Sequence, residues 1–132
     1  MVDVQTVVDS YFAFWNEPDP ARRTELAAEV FASEARYVGP LFAGEGLAGI
    51  EALASQLREH LGDQQFMRSS GIESHHDVVR YRWEISPAAG DPPFAAGVDV
   101  GTLDADGRLS SVAVFLDLVP PELREHLATT ER

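Results

Sequence analysis

A chain of 132 residues with no cysteine, carrying ten basic against twenty-two acidic side chains for a net charge of −12, excludes several classes at the outset. Disulfides and thiolate metal sites are impossible, and a field of that sign repels phosphate backbones and anionic lipid, so neither a nucleic acid nor a membrane is expected as partner. No apolar run approaches the roughly 20 residues of a membrane span, and the opening MVDVQTVVDSYF lacks the basic segment of a secretory signal, so the expected location is cytoplasmic. The length suits a single domain over residues 1–132, whose core needs no disulfide or metal to stand.

Val4, Val7, Val8, Tyr11, Phe12 and Trp15 recur at helical spacing and predict a first helix ending near Asn16. Asp19 before Pro20 reads as a cap and first helical position, starting a second helix that runs to about Ala32. Ala35 to Val38 is a short strand, Gly44 to Gly49 a loop, and Ile50, Leu53, Ala54, Leu57 and Leu61 the buried stripe of a third helix that Gly62 ends. The period then changes to two. Val79, Tyr81, Trp83 and Ile85 alternate with Arg80, Arg82 and Glu84, and further strands are expected over Phe94 to Leu103 and Leu109 to Val119, joined by a turn at Asp106-Gly107. A weaker strand covers Phe66 to His75, and a helical turn is expected after Pro120-Pro121. Helices first and antiparallel strands afterwards make an α+β fold.

Asp99 is the sharpest candidate for chemistry, because it stands between Val98 and Val100 in a strand that otherwise reads as buried. A two-residue turn at Asp106-Gly107 places it opposite Val114, on one face with Gly101, Val112 and Leu116. That apolar wall would raise the carboxyl pKa and suit the group to acid/base work or to hydrogen-bond donation. The alternative is a structural carboxylate satisfied by Arg80, Arg82, a histidine or a backbone N–H. Tyr11 lies on the apolar stripe of the first helix, where an aromatic is ordinary core, but a buried hydroxyl needs a partner and Asp99 can be one. Trp15, Tyr37, Phe42, Phe66 and Trp83 could line an aromatic cavity for a planar or polycyclic ligand, or simply pack the core. One of His75 and His76 is expected to face inward, and His75 is taken as a ligand contact. No histidine or carboxylate spacing suggests a metal, and no cofactor is expected. A nucleophile elbow, a phosphate loop and a cysteine nucleophile are all missing.

The strings YFAFWNEPDPARRTELAAEVFASEARYVGPLF, HHDVVRYRW, GVDVGTLDADGRLSSV and VFLDL, in that order, resemble SnoaL-like domains of the nuclear-transport-factor-2-like superfamily over nearly the whole chain. The resemblance implies a cone: three N-terminal helices packed on a curved, mostly antiparallel sheet that encloses a pocket. It also implies a homodimer through the outer sheet face, and Val112 to Leu116, apolar on both faces, could serve such a contact. By resemblance Asp99 falls on the hydrogen-bonding Asp and Tyr11 on the helix-one tyrosine of the ketosteroid isomerases, whose protonated Asp beside a tyrosine is a known example of a neutral buried acid. Asp99 also looks similar in strand position to the acid/base Asp of the polyketide cyclases. Gly39 stands where the isomerases carry their proton-shuttling Asp. Gly97 stands where the epoxide hydrolases of the superfamily carry an Arg. These features imply a pocket for a small apolar or aromatic ligand, with cofactor-independent cyclase or isomerase chemistry on a carbonyl compound. The alternative is a non-catalytic ligand-binding or dimerising domain.

Overall fold

The computed structural model describes residues 3–88 and 90–119; the turn expected after Pro120-Pro121 lies outside them. Helix α1 is Val4–Asn16, capped by the Asp3 carboxylate, which accepts from the N–H groups of Gln5 and Thr6. Helix α2 is Pro20–Val30, with Asp19 as cap and Pro20 in the first turn, as expected from residues that satisfy and tolerate the orphan N–H groups of a helix start. It ends two residues before the expected Ala32. Phe31 already belongs to strand β1, Phe31–Val38, where it pairs with Leu109, and Phe31, Ala35 and Tyr37 are buried. Strand burial therefore overrides the helical run, and an irregularity in the β1 register between Phe31 and Arg36 absorbs the change of period.

The segment expected as a loop before the third helix holds a short strand, β2, Ala43–Glu45, and helix α3 begins directly after it, at Gly46, and runs to Leu61. Gly62, at a φ of 62°, closes α3 and donates its N–H to the Arg58 carbonyl. The expected strand over Phe66 to His75 is two strands, β3 (Gln65–Arg68) and β4 (Glu73–His75), both paired antiparallel with the same edge of β5 (Val78–Ser86). Between them the chain loops out at Ser69 to Ile72, and the Ser70 hydroxyl accepts the Arg82 N–H that a continuous strand would have bonded. Strands β6 (Ala95–Leu103) and β7 (Leu109–Leu118) complete a sheet in the order β2-β1-β7-β6-β5-β3. Every neighbouring pair is antiparallel except β1 with β7.

The β6–β7 turn is longer than two residues. Asp104 donates its N–H to the Arg108 carbonyl, and its carboxylate accepts from the N–H groups of Asp106 and Arg108. A register shift between Thr102 and Leu103 compensates, so Asp99 does face Val114. The sheet is curved and open, and the helices cover one face of it. On that face Val79, Tyr81, Trp83 and Ile85 of β5, Asp99 of β6, and Val112 and Val114 of β7 are all buried. No helix of the described residues is long and apolar enough to cross a membrane.

Candidate functional site

Two elements bring Tyr11 to Asp99. The apolar stripe of α1 lays Val8, Tyr11, Phe12 and Trp15 on the sheet, burying each almost completely. At the end of the helix, Asn16 acts as a surrogate strand neighbour: its amide donates to the Phe66 carbonyl at 2.9 Å and accepts the Phe66 N–H at 2.8 Å. That pair of bonds fixes how far α1 slides along β3. The two-residue period of β6 turns Asp99 inward, and the Tyr11 hydroxyl donates to Asp99 Oδ2 at 2.7 Å.

Asp99 is only 2 % exposed, and its carboxyl pKa is pushed up to about 7. Burial is the dominant cause; the Tyr11 bond and the nearby polar atoms of Trp83 and Tyr81 oppose it by favouring the charged form. Of these contacts only the Tyr11 bond is a made hydrogen bond. Asp99 Oδ1, the Tyr81 hydroxyl and the Trp83 and Trp15 indole N–H groups are all buried without a hydrogen-bond partner among the described residues. The hydroxyls of Tyr11, Tyr37 and Tyr81 are held well above the ordinary tyrosine range, first by burial and then by the Asp99 charge, so all three stay protonated as donors. Neither arginine suggested as a partner for Asp99 plays that part. Arg80 and Arg82 project from the other face of β5, where Arg80 pairs with Glu73 and Arg82 with Asp117.

An apolar pocket opens beside this cluster, with a cavity volume of about 60 Å³. Tyr37, Phe42, Phe66, Trp83 and Leu116 line it, as their sequence positions suggested. Tyr37 and Trp83 are shared between the pocket wall and the surroundings of Asp99. Trp15 lies behind that wall, its ring centroid 5.0 Å from Tyr37 and 5.9 Å from Phe66, and Val112 and Val114 are core beneath the helices. The expectation of an inward histidine fails: His75 and His76 are both exposed at the β4–β5 turn, where His76 adopts a φ of 54° and the chain reverses. The cavity is also too small for the expected polycyclic ligand, since a cavity that holds benzene measures about 150 Å³.

Sequence reasoning missed Tyr81 and the outer wall. Tyr81 pairs with Asp99 across β5 and β6, and both the alternation and the register that reveal this were legible. Leu41, His60 and Phe94 come from loops and a helix end, where no periodic signal sets direction. Glycines complete the site. A Cβ on Gly97 would lie 2.6 Å from the Trp83 ring and overlap the Phe115 carbonyl, so Gly97 lets Trp83 lie flat on β6. A Cβ on Gly39 would lie 2.9 Å from the Phe42 ring, which stacks on Tyr37 at 9°. The place that the resemblance assigns to an isomerase base is thus covered by an aromatic ring. Gly44-Glu45-Gly46-Leu47-Ala48-Gly49 matches the spacing of a dinucleotide-binding glycine loop, but β2 pairs antiparallel with β1, and Gly44 serves close packing against Leu53 and Gly49. Among the described residues no group of three or more His, Asp or Glu side chains is placed to hold a metal.

Helices on one face of an open curved sheet, over a buried acid beside an apolar pocket, place the molecule in the nuclear-transport-factor-2-like class. The SnoaL-like domain model matches residues 8–112, and the chain belongs to the SnoaL-like family. It is similar to a solved protein from Agrobacterium tumefaciens described as a "putative isomerase of the SnoaL-like family", with 35 % identity, a TM-score of 0.79, and coverage of 86 % of this chain and 96 % of that one. A nuclear-transport-factor-2-like protein of unknown function from Exiguobacterium shares the fold at 21 % identity and a TM-score of 0.68, covering 84 % of this chain and 98 % of that one. A "putative SnoaL-like polyketide cyclase" from Jannaschia does so at 20 % identity and a TM-score of 0.63, covering 86 % of each chain. No curated protein matches.

Proposed function

We propose that the chain binds a compact apolar carbonyl compound in the pocket walled by Tyr37 and Trp83, and that Asp99, which lies behind those two side chains, transfers a proton when they part, in the manner of a cofactor-independent isomerase or cyclase. The observation that carries this reading is a buried carboxyl group with one oxygen bonded to Tyr11 and the other unpartnered, poised near neutral pH behind a wall it shares with the pocket. In its charged form Asp99 takes a proton from the carbon beside the carbonyl, leaving an enolate whose oxygen can accept from the Tyr37 hydroxyl and the Trp83 indole N–H; the neutral acid so formed returns that proton at another position to complete an isomerisation, and the same enolate is the nucleophile of an aldol closure. Of the unpartnered donors around it, the Trp83 indole N–H belongs to a pocket-lining residue and suits a ligand bearing an acceptor oxygen. A cavity this small admits a ring only when half-buried rim residues such as Phe42 and Phe94 swing aside.

Acetophenone tests the reading. Binding followed by nitrogen-15 NMR, with exchange of its methyl protons in D2O, should show both saturation and catalysed exchange, and Asp99→Asn should lower the exchange about 100-fold. No binding and no exchange would refute it. A second reading, ligand binding without turnover, is favoured by the near-complete closure of Asp99 and by the ring over Gly39, and predicts binding with no exchange.

The same proposal seats a second copy on the outer sheet face, where Phe115 is 57 % exposed beside half-buried Val98, Val100 and Ala113. Sedimentation should give a dimer mass for the parent and a monomer mass for Phe115→Asp. A monomeric parent at micromolar concentration would exclude it.

A further inference from the structure

The fourteen residues that line the pocket sort by depth. Tyr37, Phe66, Trp83, Ile85 and Ala95 are buried at its inner end, while His60 and Leu118 are exposed at its mouth. Among the described residues, three of the lining side chains bear hydrogen-bonding atoms: Tyr37 and Trp83 at the inner end and His60 at the mouth. The other described lining side chains are hydrocarbon. A ligand carrying a polar group along its middle would lose hydration there without replacement, so the pocket tolerates polarity at the two ends alone.

The last turn of α3 holds Arg58, Glu59 and His60. Arg58 is turned away into the following loop, where its guanidinium donates to the carbonyls of Gly62 and Gln64 at 3.4 and 2.7 Å. His60 is therefore the basic side chain of that turn that lines the mouth.

We infer that His60 is a specificity-determining residue, selecting carbonyl compounds whose apolar body carries a carboxylate at the end opposite the carbonyl. The inference rests on the pocket being a ligand site. Such a ligand lies lengthwise, with its carbonyl toward Tyr37, Trp83 and Asp99 and its carboxylate beside the His60 imidazole. A neutral ketone of the same shape enters in the same way, past Phe42 and Phe94, but forgoes the outer contact. A carboxylate placed beside the carbonyl rather than opposite it meets the hydrocarbon middle and is rejected.

The test compares acetophenone with 4-acetylbenzoate and 2-acetylbenzoate, titrated at constant ionic strength into the parent protein, His60→Ala and His60→Arg. The parent should bind 4-acetylbenzoate about tenfold more tightly than acetophenone and should bind the 2-isomer more weakly than either. His60→Ala should bring the first ratio to within about twofold of one, and His60→Arg should keep it. His60 is exposed, so thermal melts should show both variants folded. A preference that survives His60→Ala, or a parent that binds acetophenone without preferring the 4-carboxylate, overturns the inference and leaves the pocket reading intact. Failure of all three compounds to bind overturns the pocket reading and this inference with it.

Discussion

Asp99 on β6 and Asp117 on β7 are carboxylates of adjacent strands, and they differ in which face of the sheet they occupy. Asp117 projects outward, 54 % exposed, and pairs with Arg82 at 2.9 Å in water. Asp99 projects inward, where a tyrosine is its one hydrogen-bond partner among the described residues and burial raises its pKa to about 7. One residue type thus sits in an exposed ion pair on one face and becomes a buried acid with a raised pKa on the other. The two-residue period of the strands makes that assignment, because moving either side chain by one position would exchange their surroundings.

The contrast breaks most visibly at Asp99. Its folded pKa of about 7 lies above the roughly 3.9 of an unfolded aspartate, so the fold prefers the protonated form. The associated stability is fully present below about pH 4 and is lost as pH rises through about 7. Asp99→Asn removes that dependence. Urea unfolding should show the variant gaining on the parent by on the order of 3 kcal/mol between pH 5 and pH 8. Tyr11→Phe should cost about 1–3 kcal/mol at pH 8, where the carboxylate is charged and loses its one bonded donor, and should move the Asp99 titration still higher. On the outer face, Arg82→Ala should change unfolding free energy by less than about 1 kcal/mol, with an effect that fades as salt is added. An outer-face loss as large as that of Tyr11→Phe would erase the distinction between the faces.

How much of this was legible in the sequence follows from the same period. The alternation in β5 and β6 and the Asp-Gly turn placed Asp99 opposite Val114 correctly, even though the turn itself is longer, because the register shift at Thr102 compensates for it. Arg80 and Arg82 could have been dismissed as partners on the same grounds, since Tyr81 and not its neighbours pairs with Asp99. His75 was misplaced because a continuous strand was assumed where the chain loops out at Ser69 to Ile72. Local hydrogen bonding by Ser70 decides that break, and no hydrophobic pattern records it. The ring of Phe42 over Gly39 and the position of His60 at the pocket mouth depend on how a loop and a helix end pack in three dimensions. Periodicity reads faces well and loops poorly.

The titration of Asp99 itself tests the central claim most directly. Carbon-13 NMR of its side-chain carboxyl should give a midpoint near pH 7 in the folded protein, moving upward in Tyr11→Phe. A midpoint near 4, the ordinary range for an aspartate, would contradict it and would make Asp99 a charged structural group.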